Sequence, residues 1–112
     1  MKAKDTNCPA ELTLAMIGGR WKIPIIFHLL SGRKRFSELA RAIKGVTQKM
    51  LTQQLREMER NGLVERKIYA QVPPKVEYAP TDLGASLHSV VEAMCEWGEQ
   101  HGVKGLPREV SL

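Results

Sequence analysis

The sequence has few aromatic residues, few cysteines and no long apolar run. Aromatic residues make up 5% of the 112 residues, and there are 2 cysteines. So few cysteines cannot form the disulfide framework of a small secreted domain. The longest strongly apolar stretch, residues 23–30, contains a histidine and is much too short to span a bilayer. These shortages favour a globular protein that neither spans nor requires a membrane.

The amino-terminal residues lack the pattern of a targeting segment. No apolar region occurs before Cys8, so we expect no secretion signal and a cytoplasmic location. Hydrophobic residues contribute 43% of the chain and charged residues 26%, as in folded proteins rather than disordered ones. Because this length suffices for one packed core and not for two, residues 1–112 are expected to form a single domain.

Basic residues outnumber acidic ones and are concentrated in the middle of the chain. The formal net charge is +5 at pH 7. Between Arg33 and Lys75 there are eleven Lys and Arg and four Glu, a net of +7, whereas the remainder has six against eight, a net of −2. Such a region indicates a surface for a polyanion, most often nucleic acid. A solvated basic face without a partner is the alternative that charge alone leaves open.

The first half of the chain is expected to form four helices. Proline suits the first helical position and Gly-Gly interrupts a helix, so the first helix is predicted over Pro9–Ile17. The second, residues 20–30, is apolar on nearly all sides and is therefore expected to be central and buried. Residues 36–43 have apolar side chains at i, i+3, i+4 and i+7. Thr47 is a suitable N-cap for the fourth helix, Gln48–Arg60, and the following Asn-Gly pair would end it.

Alternating side chains after the fourth helix predict a β-hairpin. Val64, Ile68 and Ala70 are expected to share one face of its first strand. Val76 and Tyr78 would share one face of the second strand. The prolines at positions 73 and 74 cannot continue a ladder and would form the tip.

A long final helix is predicted over residues 82–100, with Thr81 as its N-cap. Its apolar residues repeat at spacings of 3 and 4, as in a seam between packed helices. They are Leu83, Leu87, Val90, Met94 and Trp97. The element order is that of a winged helix-turn-helix domain, mainly α with a small β-hairpin wing. Residues 36–61 would form the helix-turn-helix and residues 63–80 the wing.

Six short segments, taken in order, are specific enough to indicate a family. They are Cys8-Pro9, Ile17-Gly18-Gly19-Arg20-Trp21, Arg35-Phe36-Ser37-Glu38-Leu39, Lys49-Met50-Leu51-Thr52-Gln53-Gln54-Leu55-Arg56, Asn61-Gly62-Leu63-Val64-Glu65-Arg66 and Pro73-Pro74-Lys75-Val76-Glu77-Tyr78. With them the chain resembles the HxlR-type winged helix-turn-helix transcriptional regulators from Cys8 to Trp97. The resemblance implies a homodimer that binds inverted-repeat double-stranded DNA near promoters. The chain departs from the family pattern at Pro24, which is expected to bend the central helix, and at Pro80, near the end of the second wing strand.

The polar face of the fourth helix supplies the candidate base-reading residues. In a helix-turn-helix the second helix enters the major groove, where Gln suits adenine, Lys or Arg suits guanine, and a Thr methyl group suits thymine. The apolar face of the same helix, Leu51, Leu55 and Met58, would pack on the core. An ordinary solvated helix face is the alternative. The candidates are Thr47, Gln48, Lys49, Thr52, Gln53 and Arg56.

Basic residues beside this helix are the candidate phosphate contacts. Arg35 and the basic residues at 33 and 34 precede the third helix, and Lys75 lies at the wing tip. Charged side chains meet phosphate from many directions, so they position the protein rather than read sequence. Solubility explains any one of them equally well, and Arg66 on the first wing strand has Glu65 or Glu77 as alternative partners.

The two ends of the domain are expected to form a homodimer interface. One reading helix specifies too little sequence, whereas a dimer places two of them roughly 34–36 Å apart. Residues 8–17 and the heptad-like seam within residues 82–101 are the candidate dimerisation helices. Packing of the seam within one subunit is the alternative.

Cys8 is the candidate regulatory residue. It precedes Pro9 at a helix start, with Lys2 and Lys4 nearby in sequence. The helix dipole and positive charge favour the thiolate, which reacts with oxidants and electrophiles. In some members of the resembled family the cysteine at this position senses such compounds; an inert small residue is the alternative. Cys95 is expected to lie in the core or the seam, and a disulfide could join Cys8 to a second Cys8, to Cys95 or to a small thiol.

No catalytic centre, cofactor site or firm metal site is recognised in the sequence, so an enzyme is not expected. Catalysis needs a convergent nucleophile, base or metal cluster. His28 is expected to be a satisfied core residue. His88, Glu92 and Cys95 share a helical face, which is only a faint metal-ligand pattern.

A regulator that responds to a small aromatic molecule is the main functional alternative. In that interpretation an apolar groove between the central helix and the dimerisation helices takes up the effector, Trp21 and Trp97 line it, and Cys8 is structural. A protein–protein adaptor that has lost DNA binding is a third class, which the basic surplus disfavours.

Overall fold

The computed structural model describes residues 8–102, which form six α-helices and a three-stranded antiparallel sheet. The helices are α1 (Pro9–Ile17), α2 (Lys22–Leu29), α3 (Phe36–Ala42), α4 (Gln48–Arg60), α5 (Asp82–Ala85) and α6 (His88–Trp97), and a π-helical turn follows at Gly98–Gly102. The strands are β1 (Lys34–Arg35), β2 (Val64–Tyr69) and β3 (Lys75–Pro80), in the sheet order β1-β3-β2. The predicted mainly α fold with a small wing is confirmed.

Helix α4 has the predicted bounds because both of its ends carry local stop signals. The Thr47 hydroxyl oxygen accepts a hydrogen bond of 3.1 Å from the Met50 backbone N–H, which satisfies one of the free donors at the helix start. After the helix, Gly62 has a φ of +77°, a conformation that favours glycine. Leu51 and Leu55 are buried in the core, as is Met58. The opposite face of α4 is therefore left to the solvent.

Helix α2 is the central helix of the core, as predicted, but it begins at Lys22 rather than at residue 20. Ile25, Ile26 and Leu29 are fully buried. Pro24 is the third residue of α2, and N–H groups in the first turn have no acceptor within a helix, so proline is compatible there. Pro24 therefore lies in the first turn of α2, where its missing N–H costs no hydrogen bond within the helix.

An ion pair ties the start of α2 to α4. Lys22 is buried, and its Nζ lies 2.9 Å from the Glu57 Oε1. A buried ammonium group requires such a partner, because an unpaired charge is costly to remove from water. The position of α4 thus depends on the central helix.

The wing differs from the predicted hairpin in two respects. A third strand, β1, pairs with β3, so the sheet includes the residues that precede α3. Val64 and Ile68 share one face of β2, as predicted, but only Val64 is buried, Ile68 is exposed, and Ala70 lies beyond the end of the strand. Within β3 the buried residue is Ala79, because only the part of the wing next to the helices has a core to pack on.

The prediction of one continuous final helix was wrong. Thr81 caps α5 as expected, with its hydroxyl oxygen accepting a bond of 3.1 Å from the Gly84 N–H. The Leu87 N–H then bonds to the Gly84 carbonyl, three residues back instead of four. The Leu83 carbonyl accepts from the Ser86 N–H and the Ser86 hydroxyl instead of from the Leu87 N–H. The helix is interrupted at residues 86–87 and resumes as α6.

The heptad-like seam lies largely outside the core of the subunit. Leu83, Met94 and Trp97 are 52%, 49% and 59% exposed, and Leu87 and Val90 are only partly buried. The residue of α6 that enters the core is Val91, one position away from the seam. Packing within one subunit therefore accounts for Leu87 and Val90, which contact the core, and not for Leu83, Met94 and Trp97. Between residues 8 and 102 no helix is both long enough and apolar enough to cross a membrane.

Candidate nucleic-acid interface

The outward face of α4 forms a shallow polar concavity of about 740 Å³. Its lining residues are Gln48, Lys49, Thr52, Gln53, Arg56 and Arg60. Five of these six were candidates from the sequence. Arg60 was missed, although it follows Arg56 at a spacing of four residues, which places both on one helical face. The concavity combines amide groups with positive charges, as base edges and phosphates require.

Two of the candidate threonines already use their hydroxyl groups within α4. The hydroxyl oxygen of Thr47 caps the helix, so its first function is structural. The Thr52 hydroxyl donates a bond of 2.8 Å to the Gln48 carbonyl oxygen. Gln53 makes no side-chain hydrogen bond among the described residues and is exposed. Gln48 is exposed as well and makes no side-chain hydrogen bond within residues 8–102, so the amides of Gln48 and Gln53 are both free to meet a base.

The wing presents a charged face built by the register of its three strands. Arg35 pairs with Glu77, Lys67 pairs with Glu77 from the other side, and Tyr69 pairs with Lys75. Paired residues in antiparallel strands project to the same side, and alternate residues of one strand share a face. Arg35, Lys67, Tyr69, Lys75 and Glu77 therefore lie on one side of the sheet, which we call the wing face.

Glu77 is at the centre of the contacts on the wing face. The Tyr69 hydroxyl donates a hydrogen bond of 2.9 Å to the Glu77 Oε1, and the Lys75 Nζ lies 3.7 Å from the Glu77 Oε2. The Nζ atoms of Lys75 and Lys67 lie 4.3 Å and 5.1 Å from the centroid of the Tyr69 ring, within the range of a cation–π interaction. Lys75, a predicted phosphate contact, is thus paired within the wing.

The same contacts shift the pKa values of the two acidic groups. The hydrogen bond from Tyr69 is the largest influence that lowers the pKa of Glu77, and the charges of Lys75, Arg33 and Arg35 lower it further against the effect of burial. The hydrogen bond to Glu77, together with burial, raises the pKa of Tyr69. Glu65 alternates with Lys67 on the same side of β2, so Glu77 is one of two carboxylates there, and it is the one that contacts Tyr69 and Lys75.

Arg66 and Arg35 have contacts that the sequence did not predict. Arg66 Nε lies 3.8 Å from the Glu59 Oε1, rather than pairing with Glu65 or Glu77, and so connects β2 to the last turn of α4. The Arg35 backbone N–H donates a bond of 2.7 Å to the Glu38 carboxylate at the start of α3. The Arg35 side chain remains exposed and free to meet a phosphate.

Cys8 lies immediately before α1, as predicted. It is an exposed free thiol, and its backbone carbonyl accepts a bond of 2.9 Å from the Glu11 N–H. Lys2 and Lys4, which were expected to favour the thiolate, lie outside the described residues. Cys95, which was expected in the core or the seam, is also exposed, so it does not lie in the core. It is on the side of α6 that faces the end of α2.

Two grooves flank α6, and neither has the predicted lining. An apolar groove of about 440 Å³ lies between α1, α2 and α6, but Trp21 and Trp97 do not line it. Trp21 packs against the core under the Arg20 guanidinium, and Trp97 is exposed beside His101. Its lining residues are Ala10, Thr13, Leu14, Ile17, Gly18, Gly19, Ile23, Val90 and Met94.

The second groove contains the residues of the faint metal-ligand pattern. His88, Glu92 and Cys95 line it together with His28. No group of three His, Cys, Asp or Glu residues within 8–102 is arranged to hold a metal ion. His28 is half-buried against the edge of Phe27 rather than fully enclosed in the core.

The fold and the polar face of α4 together define a class of protein. A reading helix with one buried apolar face and one exposed polar face, followed by a basic wing, is the architecture of a winged helix-turn-helix DNA-binding protein. The model of the HxlR-like helix-turn-helix family matches residues 16–105. The chain therefore belongs to the HxlR-like helix-turn-helix family of transcriptional regulators, as the sequence resemblance indicated.

Relatives and solved structures support this assignment. The chain is 50% identical over 101 residues to the HTH-type transcriptional regulator YtcD of Bacillus subtilis, covering 90% of this chain and 80% of that protein. The redox regulator HypR in its reduced form is 49% identical with a TM-score of 0.82, covering 86% of this chain and 95% of HypR. The reduced form of the transcriptional regulator YodB from B. subtilis is 37% identical with a TM-score of 0.76, covering 90% of this chain and 100% of YodB. These proteins are regulators rather than enzymes.

Proposed function

We propose that the protein regulates transcription by binding an inverted-repeat operator as a homodimer, and that oxidation or electrophilic modification of Cys8 switches this binding. The exposed polar face of α4 is the observation that carries the proposal, because it presents amide and guanidinium groups opposite a fully buried apolar face. Arg35 and the wing face would supply phosphate contacts.

The dimer is supported by apolar surface that the subunit leaves open. Leu14 on α1 is 65% exposed, and Met94 on α6 borders the same apolar groove. Contiguous exposed apolar surface marks interaction sites in soluble proteins. A second copy that buries α1 and α6 would place two α4 helices on one face of a duplex, which suits a symmetric operator.

The switch is supported by the exposure of Cys8 and by similar regulators whose structures were solved in different oxidation states. HypR is a redox regulator with solved reduced and oxidised forms, and a YodB structure was obtained after diamide treatment. In the proposed step Cys8 and a second thiol each lose one proton and one electron. Diamide accepts both protons and both electrons and becomes a hydrazine, while the two sulfur atoms form a disulfide. A second Cys8, Cys95 or a small thiol would serve as the partner.

The proposal is tested by fluorescence anisotropy with the DNA upstream of the protein's own gene. The wild type and Cys8→Ser are each measured reduced and after diamide treatment, with Cys95→Ser as the matched control for the other exposed thiol. We expect reduced wild type to bind this DNA more tightly than an unrelated duplex. Diamide should change the affinity of the wild type at least severalfold and leave that of Cys8→Ser unchanged.

The other outcomes of this anisotropy experiment each contradict or narrow one part of the proposal. Equal affinity for both duplexes would contradict sequence-specific regulation. Specific binding that is indifferent to diamide would remove the switch and favour the alternative of an aromatic effector in the apolar groove between α1, α2 and α6. A diamide effect lost in both cysteine variants would identify Cys95 as the partner of Cys8.

A further inference from the structure

The wing face carries a carboxylate where a phosphate-binding surface is expected to be purely basic. Glu77 is partly buried, with its side chain 17% exposed, and it is flanked across the sheet by Arg35 and Lys67. A carboxylate repels DNA phosphates. Its place among Arg35, Lys67 and Lys75 therefore calls for an explanation beyond solubility.

The contacts of Glu77 indicate what it does to these cations. Its two oxygens are used separately, one accepting from the Tyr69 hydroxyl and the other facing the Lys75 ammonium. Lys75 is also held over the Tyr69 ring, and only 24% of its side chain is exposed. The positive charge of Lys75, which lies at the wing tip and would approach a phosphate first, is thus already compensated by Glu77.

We propose that Glu77 is a specificity-determining residue, which lowers sequence-independent DNA binding by compensating Lys75 on the wing face. A phosphate has to displace the Glu77 carboxylate from Lys75 before the wing can contribute a full positive charge. On an operator the base contacts of α4 hold the wing against the DNA backbone, so a phosphate replaces the Glu77 carboxylate beside Lys75. On other DNA these base contacts are missing and the wing contributes less. This inference rests on the proposed DNA-binding function.

The depressed pKa of Glu77 agrees with this arrangement, because it keeps the carboxylate charged throughout the neutral range. The effect should therefore appear in the salt dependence of binding and not as a switch near neutral pH. The logarithm of the binding constant falls with the logarithm of salt concentration by about one unit for each phosphate neutralised.

The test is a salt titration of binding to an unrelated duplex and to the upstream DNA, comparing the wild type with Glu77→Gln. Glutamine keeps an oxygen for the Tyr69 hydroxyl but removes the charge. We expect Glu77→Gln to bind the unrelated duplex severalfold more tightly at low salt, with a slope steeper by about one unit. The ratio of specific to non-specific affinity should fall.

Glu65→Gln is the matched control, because it makes the same charge change at an exposed position on the adjacent strand. Equal steepening in both variants would mean that net charge alone is responsible and would overturn the proposal. Weaker binding by Glu77→Gln would also overturn it. Thermal unfolding of each variant shows whether the fold is retained.

Lys75→Ala identifies the cation involved. Alone it should make the slope on the upstream DNA shallower by about one unit and change the slope on the unrelated duplex less. In the double variant with Glu77→Gln, the slope on the unrelated duplex should return to near that of the wild type. A double variant as steep as Glu77→Gln would exclude Lys75. If the wild type shows no salt-dependent binding to either duplex, both the proposed DNA-binding function and this inference fail. If Glu77→Gln and Glu65→Gln instead have equal slopes, only this inference fails.

Discussion

At the scale of single residues, the polar side chains of α4 differ in how free they are to meet DNA. Thr47 and Thr52 use their hydroxyl groups within the helix, whereas Gln53 is exposed beside Arg56 in the polar concavity. A free amide can both donate to and accept from one adenine edge, which gives it the power to discriminate between bases. Sequence position alone placed all of these residues on one face but did not separate their roles.

Gln53→Ala should therefore reduce discrimination at a single base pair of the operator. The expected loss is about 1–3 kcal/mol if the amide makes a bidentate contact. Anisotropy with operators altered at each position measures it. The matched control is Gln54→Ala, since Gln54 is the next residue on the same helix and lies outside the concavity. Equal effects of the two substitutions would show that helix stability, not base contact, is responsible.

At the scale of elements, α5 is placed by a close approach that needs glycine. A Cβ atom added to Gly84 would overlap the Leu63 carbonyl oxygen, which belongs to the backbone and cannot turn aside. The Leu63 carbonyl also accepts a bond of 3.1 Å from the Thr81 N–H. The end of the wing and the start of the last helices are thus joined backbone to backbone.

Gly84→Ala should lower the free energy of unfolding by about 1–3 kcal/mol or more, because the overlap forces the backbones apart. Gly98→Ala is the control: Gly98 has an ordinary helical conformation and open space around it. That substitution should leave stability unchanged or raise it by about 0.4–1 kcal/mol. Urea unfolding of the two variants measures both changes in the free energy of unfolding. A Gly84→Ala protein as stable as the wild type would contradict the close approach.

The interruption between α5 and α6 also belongs to this scale. The apolar spacing of 3 and 4 continues through residues 86–87, so the pattern predicts one helix. The Ser86 hydroxyl and the three-residue hydrogen bond of Leu87 end the first segment instead. Periodicity records which side chains share a face, and it does not record which backbone bonds are formed.

At the scale of the whole molecule, the exposed seam of α6 and the open side of α1 predict a dimer. Met94→Glu would place an unpaired charge within that interface, at a cost of about 3–5 kcal/mol if it is fully buried. Sedimentation at micromolar concentration should then show a monomer where the wild type is dimeric.

Val72→Glu is the control for this prediction, because Val72 is an apolar residue that is 99% exposed near the wing tip. It adds the same charge outside the proposed interface and should leave the dimer intact. A monomeric wild type, or a dimeric Met94→Glu variant with unchanged affinity, would rule out this interface.

The sequence by itself determined the order of the main elements, the bounds of α1 and α4, and the two faces of α4. These features depend on caps, glycines and periodicity, which act within a few residues of the chain. The family followed from six short segments in order.

Only the tertiary structure decided how distant residues meet. It added the third strand of the wing, divided the last helix and left part of the heptad-like seam exposed. It also brought Glu77 between Tyr69, Lys75 and the flanking basic residues. Strand pairing and ion pairing join residues that are far apart in the chain. Many pairings satisfy the same local pattern, and the packing of the complete domain selects one of them.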